Sequence, residues 1–397
     1  MNLQELKAEF LKRFSGDEEG IRFFTSPGRV NLIGEHTDYN GGFVFPAALS
    51  MGTVIVARPR NDGKFRMQAT DLDIVVEGDI ATIQDYKNLE WGNYQFGIAD
   101  ELMKAGYNVV GADMLYYDTI PHGGGLSSSA AIEVATAIAM AMMGGKTEVD
   151  NVEMAKLGQK AENNYIGVNC GIMDQFASAM GKKNHAIYLN CKDLSYKLVP
   201  LALDGMKIVI SNTNKKRSLA TSKYNERRSE CEQGLELLQT VIPNITCLGD
   251  VSYAEFEKHK DVITNEVVRR RVEHVISEDD RVLQSIEALN KGDMVTFGKL
   301  MTASHNSLRD NYEVTGVELD TLVEEALKID GVLGSRMTGA GFGGCTVSIV
   351  KDENVDEFIK VVGENYTNKI GYAPSFYVSE VSDGGREIFL DWFIFVI

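Results

Sequence analysis

From Ala130 to Met143 the chain is almost wholly apolar and rich in alanine. A helix that is apolar on every side has no face to give to water, so this one belongs in the middle of the fold. A strand-like run, ADMLYYDTI, precedes it, and the two are joined by PHGGGLSSS. In that joint Gly123, Gly124 and Gly125 leave no Cβ between backbone and ligand and permit positive φ. Beyond Leu126, the serines Ser127, Ser128 and Ser129 stand where the first unpaired N–H groups of the helix emerge. Those groups and the positive end of the helix dipole suit an anion, and serine hydroxyls beside bound phosphates suit Mg²⁺. A glycine turn with a serine cap is the plainer reading, but three of each exceed what capping requires.

The remaining chain sets limits on what surrounds this helix. Its 397 residues allow two domains or one large α/β body. With 40 basic against 57 acidic side chains the net charge is −17, which repels nucleic acid and anionic membranes. A phosphate ligand would then rely on local backbone donors or a metal. Five scattered cysteines without a C-x-x-C pair point to reduced thiols in a cytoplasm. The opening MNLQELKAEFLKRF predicts an amphipathic helix rather than a secretory signal. No window is long and apolar enough to span a bilayer. The run FLDWFIFVI, Phe389 to Ile397, predicts a buried last strand or an interface.

Strand-like GTVIVARPR and KFRMQAT flank Asn61-Asp62-Gly63 and predict a hairpin. Helices are expected in WGNYQFGIADELMKAG, NVEMAKLGQKAENNYIG and GIMDQFASAMG, and strands in HAIYLNC and KIVISNT. The charged stretch from about Ser218 to Lys299 reads as helical, and the last hundred residues alternate helix and strand. The expected fold class is α+β, with two domains, 1–200 and 201–397, meeting near residue 200.

Two glycine patterns are decoys. GGKT near residue 146 lacks the first P-loop glycine, since position 140 is Met140, and it follows a helix. GAGFGG fits G-x-G-x-x-G, but a strand follows it rather than the helix of a dinucleotide fold. That loop either brings backbone close to a ligand or makes a tight turn. Asp174 lies in the apolar window CGIMDQFASAM, where a carboxylate must reach solvent, a partner or a substrate hydroxyl. Glu162 precedes it by one helix and is near enough in the chain to share a cleft. In SPGRVNLIGEHTDYNGG, Val30 to Ile33 reads as a core strand, Arg29 suits phosphate oxygens, and Glu35, His36 and Asp38 offer several acceptors. Zinc and sugar hydroxyls both fit that set, although the other histidines show no ligand spacing.

PGRVNLIGEHTDYNGGFVFPAAL resembles the signature of the galactokinase family. PHGGGLSSSAAIEVA and GSRMTGAGFGGCTVSIV are similar to the second and third motifs of the GHMP small-molecule kinases, and the likeness covers nearly the whole chain. The resemblance implies an N-terminal domain like the second domain of ribosomal protein S5 and a ferredoxin-like C-terminal domain, with the site between them. It implies phosphorylation of the C1 hydroxyl of α-D-galactose by MgATP, in a monomer. It assigns catalysis to Asp174 and Arg29, and sugar binding to Glu35, His36, Thr37, Asp38, Gly171 and Tyr224. It assigns the ATP phosphates to Gly123, Gly124, Gly125, Leu126, Ser127, Ser128 and Ser129, and Mg²⁺ to Ser129 and Glu162. An N-acetylgalactosamine kinase or a non-catalytic galactose sensor would share the scaffold.

Overall fold

The computed structural model describes residues 1–121, 124–215 and 220–390. Helix α1 (Leu3–Arg13) leads into strands β1 (Arg22–Asn31), β2 (Phe43–Val44), β3 (Pro46–Arg60), β4 (Lys64–Ala69) and β5 (Val75–Asp79). Next come α2 (Asn93–Lys104), β6 (Gly111–Asp118), α3 (Ser128–Met143), α4 (Asn151–Lys160) and α5 (Met173–Met180). Strands β7 (His185–Asn190), β8 (Tyr196–Pro200) and β9 (Met206–Asn212) precede helices α6 (Ala220–Gln239), α7 (Tyr253–His259), α8 (Glu266–Asn290), α9 (Met294–Ser307) and α10 (Val317–Ala326). The chain continues through β10 (Val332–Thr338), β11 (Cys345–Lys351), α11 (Val355–Ile370), β12 (Ser375–Ser379) and β13 (Arg386–Ile388).

These strands form three sheets, ordered β13-β1-β3-β6-β4-β5, β10-β11-β9-β12 and β2-β7-β8. The apolar segment is α3, buried from Ala130 to Ala141 and packed against β1, β3, α2, α4 and α5. The four-stranded sheet is antiparallel and runs second, third, first, fourth in chain order, the arrangement of a ferredoxin-like sheet. Val30, Leu32 and Ile33 are fully buried in a cluster with Ile208, Ile210, Val282 and Val347, so the segment after Arg29 is anchored in the core. Strand β13 pairs with β1, and Arg22 fixes it by donating from Nε and an Nη to Glu387 at 2.6 and 2.8 Å.

One expectation fails. The strands flanking Asn61-Asp62-Gly63 do not pair with each other, because β6 lies between them, antiparallel to β3 and parallel to β4. The reason is burial: β6 is buried along six of its eight residues and needs a neighbour on each edge. Gly111 allows the insertion, since a Cβ there would meet the Lys64 backbone at 2.6 Å. Of the apolar C-terminal run only Phe389 and Leu390 lie within the described residues, Phe389 being 52% exposed. All five cysteines are free, and no helix among the described residues is long and apolar enough to cross a membrane.

Helix α9 and strand β10 touch backbone to backbone. A Cβ on Gly298 would stand 2.1 Å from the Leu333 carbonyl oxygen, and one on Gly334 would stand 2.1 Å from that of Gly298. On helix propensity alone Gly298→Ala would stabilise by about 1 kcal/mol. The contact reverses the sign, and a loss of about 2 kcal/mol or more is expected in urea unfolding. An unchanged or raised midpoint would contradict the close approach.

Candidate active site

Strand β1 passes under the glycine-serine loop and is stitched to it. Arg29 N–H donates to the Leu126 carbonyl at 3.2 Å, and a Cβ on Gly28 would collide with that oxygen at 2.7 Å. The Arg29 side chain, 5% exposed, donates from Nε and Nη2 to the two Asp174 carboxylate oxygens at 2.9 and 3.0 Å. Its Nη1 donates to the Gly125 carbonyl at 2.8 Å. One planar guanidinium thus ties the carboxylate on α5 to the loop.

Ser127 precedes α3 with φ 62 and does not cap the helix with its hydroxyl. The hydroxyl donates instead to Asp174 Oδ2 at 2.6 Å. The helix N-terminus is therefore left without a side-chain cap from Ser127, as an anion-binding terminus requires. Such a conformation in a non-glycine residue persists where its surroundings over-determine it.

Above Asp174 opens a cleft lined by Arg29, Glu35, His36, Asp38, Glu162, Gly171, Asp174 and Tyr224. Gly171 makes room for the Asp38 carboxylate, which a Cβ would meet at 2.1 Å. Glu35 is buried and accepts from Arg336 Nη2 at 2.9 Å, while Arg336 Nη1 donates to the Asn31 carbonyl at 2.6 Å. Burial pushes the Glu35 carboxyl up, against the pull of Arg336 and Arg29. Burial, then the neighbouring Asp174 charge, raise Asp38 to about 6, and burial lowers His36 to about 3, so its ring is neutral.

Thr37 is not on the cleft wall. It is fully buried, and its hydroxyl lies 2.9 and 2.6 Å from the Gly34 and Phe43 carbonyls, holding the turn beneath the cleft. Gly123 falls outside the described residues. Gly124 is buried with its carbonyl accepting from the Cys345 thiol at 2.8 Å, and Leu126 anchors the loop at 1% exposure.

Burial raises the pKa of the Glu162 carboxyl, against the pull of the neighbouring Cys170, Ser129 and Gln175 side chains. Gln175 Nε2 bridges Glu162 at 3.2 Å and the fully buried Glu133 at 2.9 Å. No group of three or more His, Cys, Asp and Glu side chains among the described residues is arranged around a metal. A hydroxyl and one carboxylate fit Mg²⁺ better than zinc, because Mg²⁺ completes its shell with water and substrate phosphate. His36 does not suit zinc either, since among the described residues it belongs to no group of three or more His, Cys, Asp and Glu side chains that could hold the ion.

Four features escaped sequence reasoning. Tyr39, Gln175, Gly339 and Ala340 also line the cleft. The glycine loop after β10, left open between two readings by the sequence, is a turn: Gly339, Gly341, Gly343 and Gly344 have positive φ, and a Cβ on Gly341 would stand 2.3 Å from the Val314 carbonyl. Arg336 was visible as the one charge in a strand that is otherwise apolar or small. A second cleft reaches Ser128 and Ser129 and is walled by Trp91, Tyr94, Leu72, Tyr116 and Ile132.

Comparison with known proteins accords with this geometry. A galactokinase galactose-binding signature matches residues 8–59, the GHMP kinase N-terminal domain 93–182 and the GHMP kinase C-terminal domain 285–368. The chain is 54% identical to a galactokinase of Clostridium acetobutylicum over 96% of its length and 98% of the relative's. It is 48% identical to a galactokinase of Bacillus subtilis, covering 97% of this chain and 99% of that one. The crystal structure of Lactococcus lactis galactokinase complexed with galactose superposes with a TM-score of 0.93 at 44% identity, covering 97% of this chain and 100% of the other. Methanococcus jannaschii mevalonate kinase, 20% identical with a TM-score of 0.66 over 92% and 100% of the chains, shares the fold.

The raised Asp38 has a consequence for stability. Its folded pKa of about 6 exceeds the ordinary 3.8, so it favours the folded state below pH about 4 and loses that contribution as the pH climbs through about 6. Asp38→Asn is expected to unfold at higher urea than wild type at pH 8, with the gain gone near pH 4. A wild type more stable than the variant at pH 8 would contradict the burial penalty.

Proposed function

The chain belongs to the galactokinase family, and we infer that its cleft transfers the γ-phosphoryl group of ATP to the C1 hydroxyl of α-D-galactose. The observation that carries this reading is the Arg29 fork, which holds Asp174 and the Gly125 carbonyl at once. Phosphoryl transfer needs mainly positioning and charge stabilisation, and here the carboxylate and the phosphate loop form one rigid unit.

The sugar occupies the cleft, its hydroxyls donating to Asp38 and Glu35 and meeting His36 and Tyr224. Asp174 accepts the proton of the attacking hydroxyl, its two carboxylate oxygens held by the Arg29 fork. Thr37 acts through the turn it holds. The N–H groups opening α3 cradle the phosphates between Gly124 and Ser129. The cleft walled by Trp91 and Tyr94 receives the rest of the nucleotide, offering aromatic faces to a planar base. Ser129 and Glu162 would hold Mg²⁺, which when bound neutralises phosphate charge that the −17 chain cannot. Gln175 holds the Glu162 carboxylate in place by donating to Oε2 at 3.2 Å. The N-acetylgalactosamine and sensor readings draw no observation in their favour.

The pure protein is expected to consume ATP only when galactose is present; no galactose-dependent turnover would refute the reading. Asp174→Asn is expected to lower kcat by roughly 10²-fold or more while leaving galactose binding largely intact. A variant turning over near the wild-type rate would remove Asp174 as proton acceptor.

A further inference from the structure

His36 stands at the cleft wall with φ 64, so its surroundings must hold it there. Behind it runs a chain of hydrogen bonds. Nδ1 lies 2.8 Å from Tyr39 Oη, Tyr39 Oη lies 2.8 Å from Tyr312 Oη, and Tyr312 Oη lies 3.2 Å from Cys231 Sγ. Tyr312 and Cys231 are fully buried, and the His36 ring packs on Tyr312 with centroids 4.9 Å apart. At the opposite end of the ring, Nε2 is buried and has no hydrogen-bond partner among the described residues.

Such a chain has two polarities, because each hydroxyl gives one proton and the neutral imidazole carries one. Run from the ring inward, Nδ1–H donates to Tyr39, Tyr39 to Tyr312, and Tyr312 to sulfur. That ends the chain on a weak acceptor and leaves the S–H idle. The Asn40 side chain donates to the His36 carbonyl at 2.9 Å, holding the backbone of the histidine beside the chain. Run outward, S–H donates to Tyr312, Tyr312 to Tyr39, and Tyr39 to a bare Nδ1, the strongest acceptor in the series. Every group from the sulfur to Nδ1 is then satisfied, and adjacent bonds reinforce one another.

We propose that Cys231, Tyr312 and Tyr39 form an outward-polarised relay that locks neutral His36 with its proton on Nε2, so that the cleft presents a donor to one sugar hydroxyl oxygen. This donor complements the carboxylate oxygens of Asp38 and Glu35 on the same cleft wall, which accept. A hydroxyl that gives its proton to a carboxylate can then receive one from His36, a pairing that rejects a sugar lacking that oxygen. Tyr312 and Cys231 are positioning residues, acting on the sugar through His36. The sugar-facing consequence rests on the galactose reading, whereas the relay itself is a property of the ligand-free protein.

The test is nitrogen-15 spectroscopy of the ligand-free full chain labelled in histidine. His36→Gln identifies the His36 signals among those of the six histidines. The expected wild-type spectrum has Nε2 protonated and Nδ1 bare. Tyr39→Phe removes the donor to Nδ1, and Tyr312→Phe frees Tyr39 to give or accept, so both move the signals toward an average of two tautomers. Tyr312→Phe, buried away from the sugar, is further expected to raise the galactose KM about five-fold with less than a two-fold change in ATP KM. A wild-type proton on Nδ1, or tautomer signals unchanged in both variants, would overturn the relay. Should Tyr312→Phe fail to fold, the wild-type and Tyr39→Phe spectra still decide. The expected tautomer in a protein that does not phosphorylate galactose would refute the sugar reading and leave the relay standing.

Discussion

The site depends on the Arg29 guanidinium. It is almost fully buried, and its three observed bonds run to Asp174 and to the Gly125 carbonyl. A buried cation is tolerated only when paired and hydrogen-bonded. Arg29 meets both conditions with the two groups that the proposed phosphoryl transfer would hold together, the Asp174 carboxylate and the glycine-serine loop. The positive φ of Ser127 and the missing Cβ of Gly28 are the local conditions for that arrangement.

A second buried arginine ties this unit to the other half of the chain. Arg336, on β10, donates to the Asn31 carbonyl at the end of β1 and to Glu35, which faces the cleft. Its Nε also donates to Ser304 on α9 at 3.2 Å. Strand β10 can supply these contacts because Gly298 and Gly334 let α9 press against it. His274 on α8 adds a further bond, with Nε2 3.1 Å from the Glu35 carbonyl. The sugar-facing segment is therefore held by its own strand and by elements more than two hundred residues away.

Much of this was legible in the sequence, for reasons that differ by residue. The apolar sweep of α3 declared its burial, because that property is local; the glycines and serines before it suggested an anion site for the same local reason. Arg29, Asp174 and the carboxylates after Ile33 were legible through their motifs. The direction of the Thr37 side chain was illegible because a motif position says nothing of it; the turn engages its hydroxyl. The placement of β6 between β3 and β4 was illegible because the strand that fills a sheet position is chosen by nonlocal burial. The Trp91 cleft was missed because α2, β6 and α3 converge there from distant stretches of sequence. The relay behind His36 joins residues 36, 39, 231 and 312, a set without any spacing to read.

The central claim is that Arg29 and Asp174 act as one device, and a double-mutant cycle in kcat measures it directly. Residues that work as a unit give losses that do not add. Arg29→Met, Asp174→Asn and the double variant would be compared under saturating galactose and ATP. The account predicts a double variant about as slow as the slower single one. Losses in kcat that multiply through the cycle would show two independent contributions and contradict it.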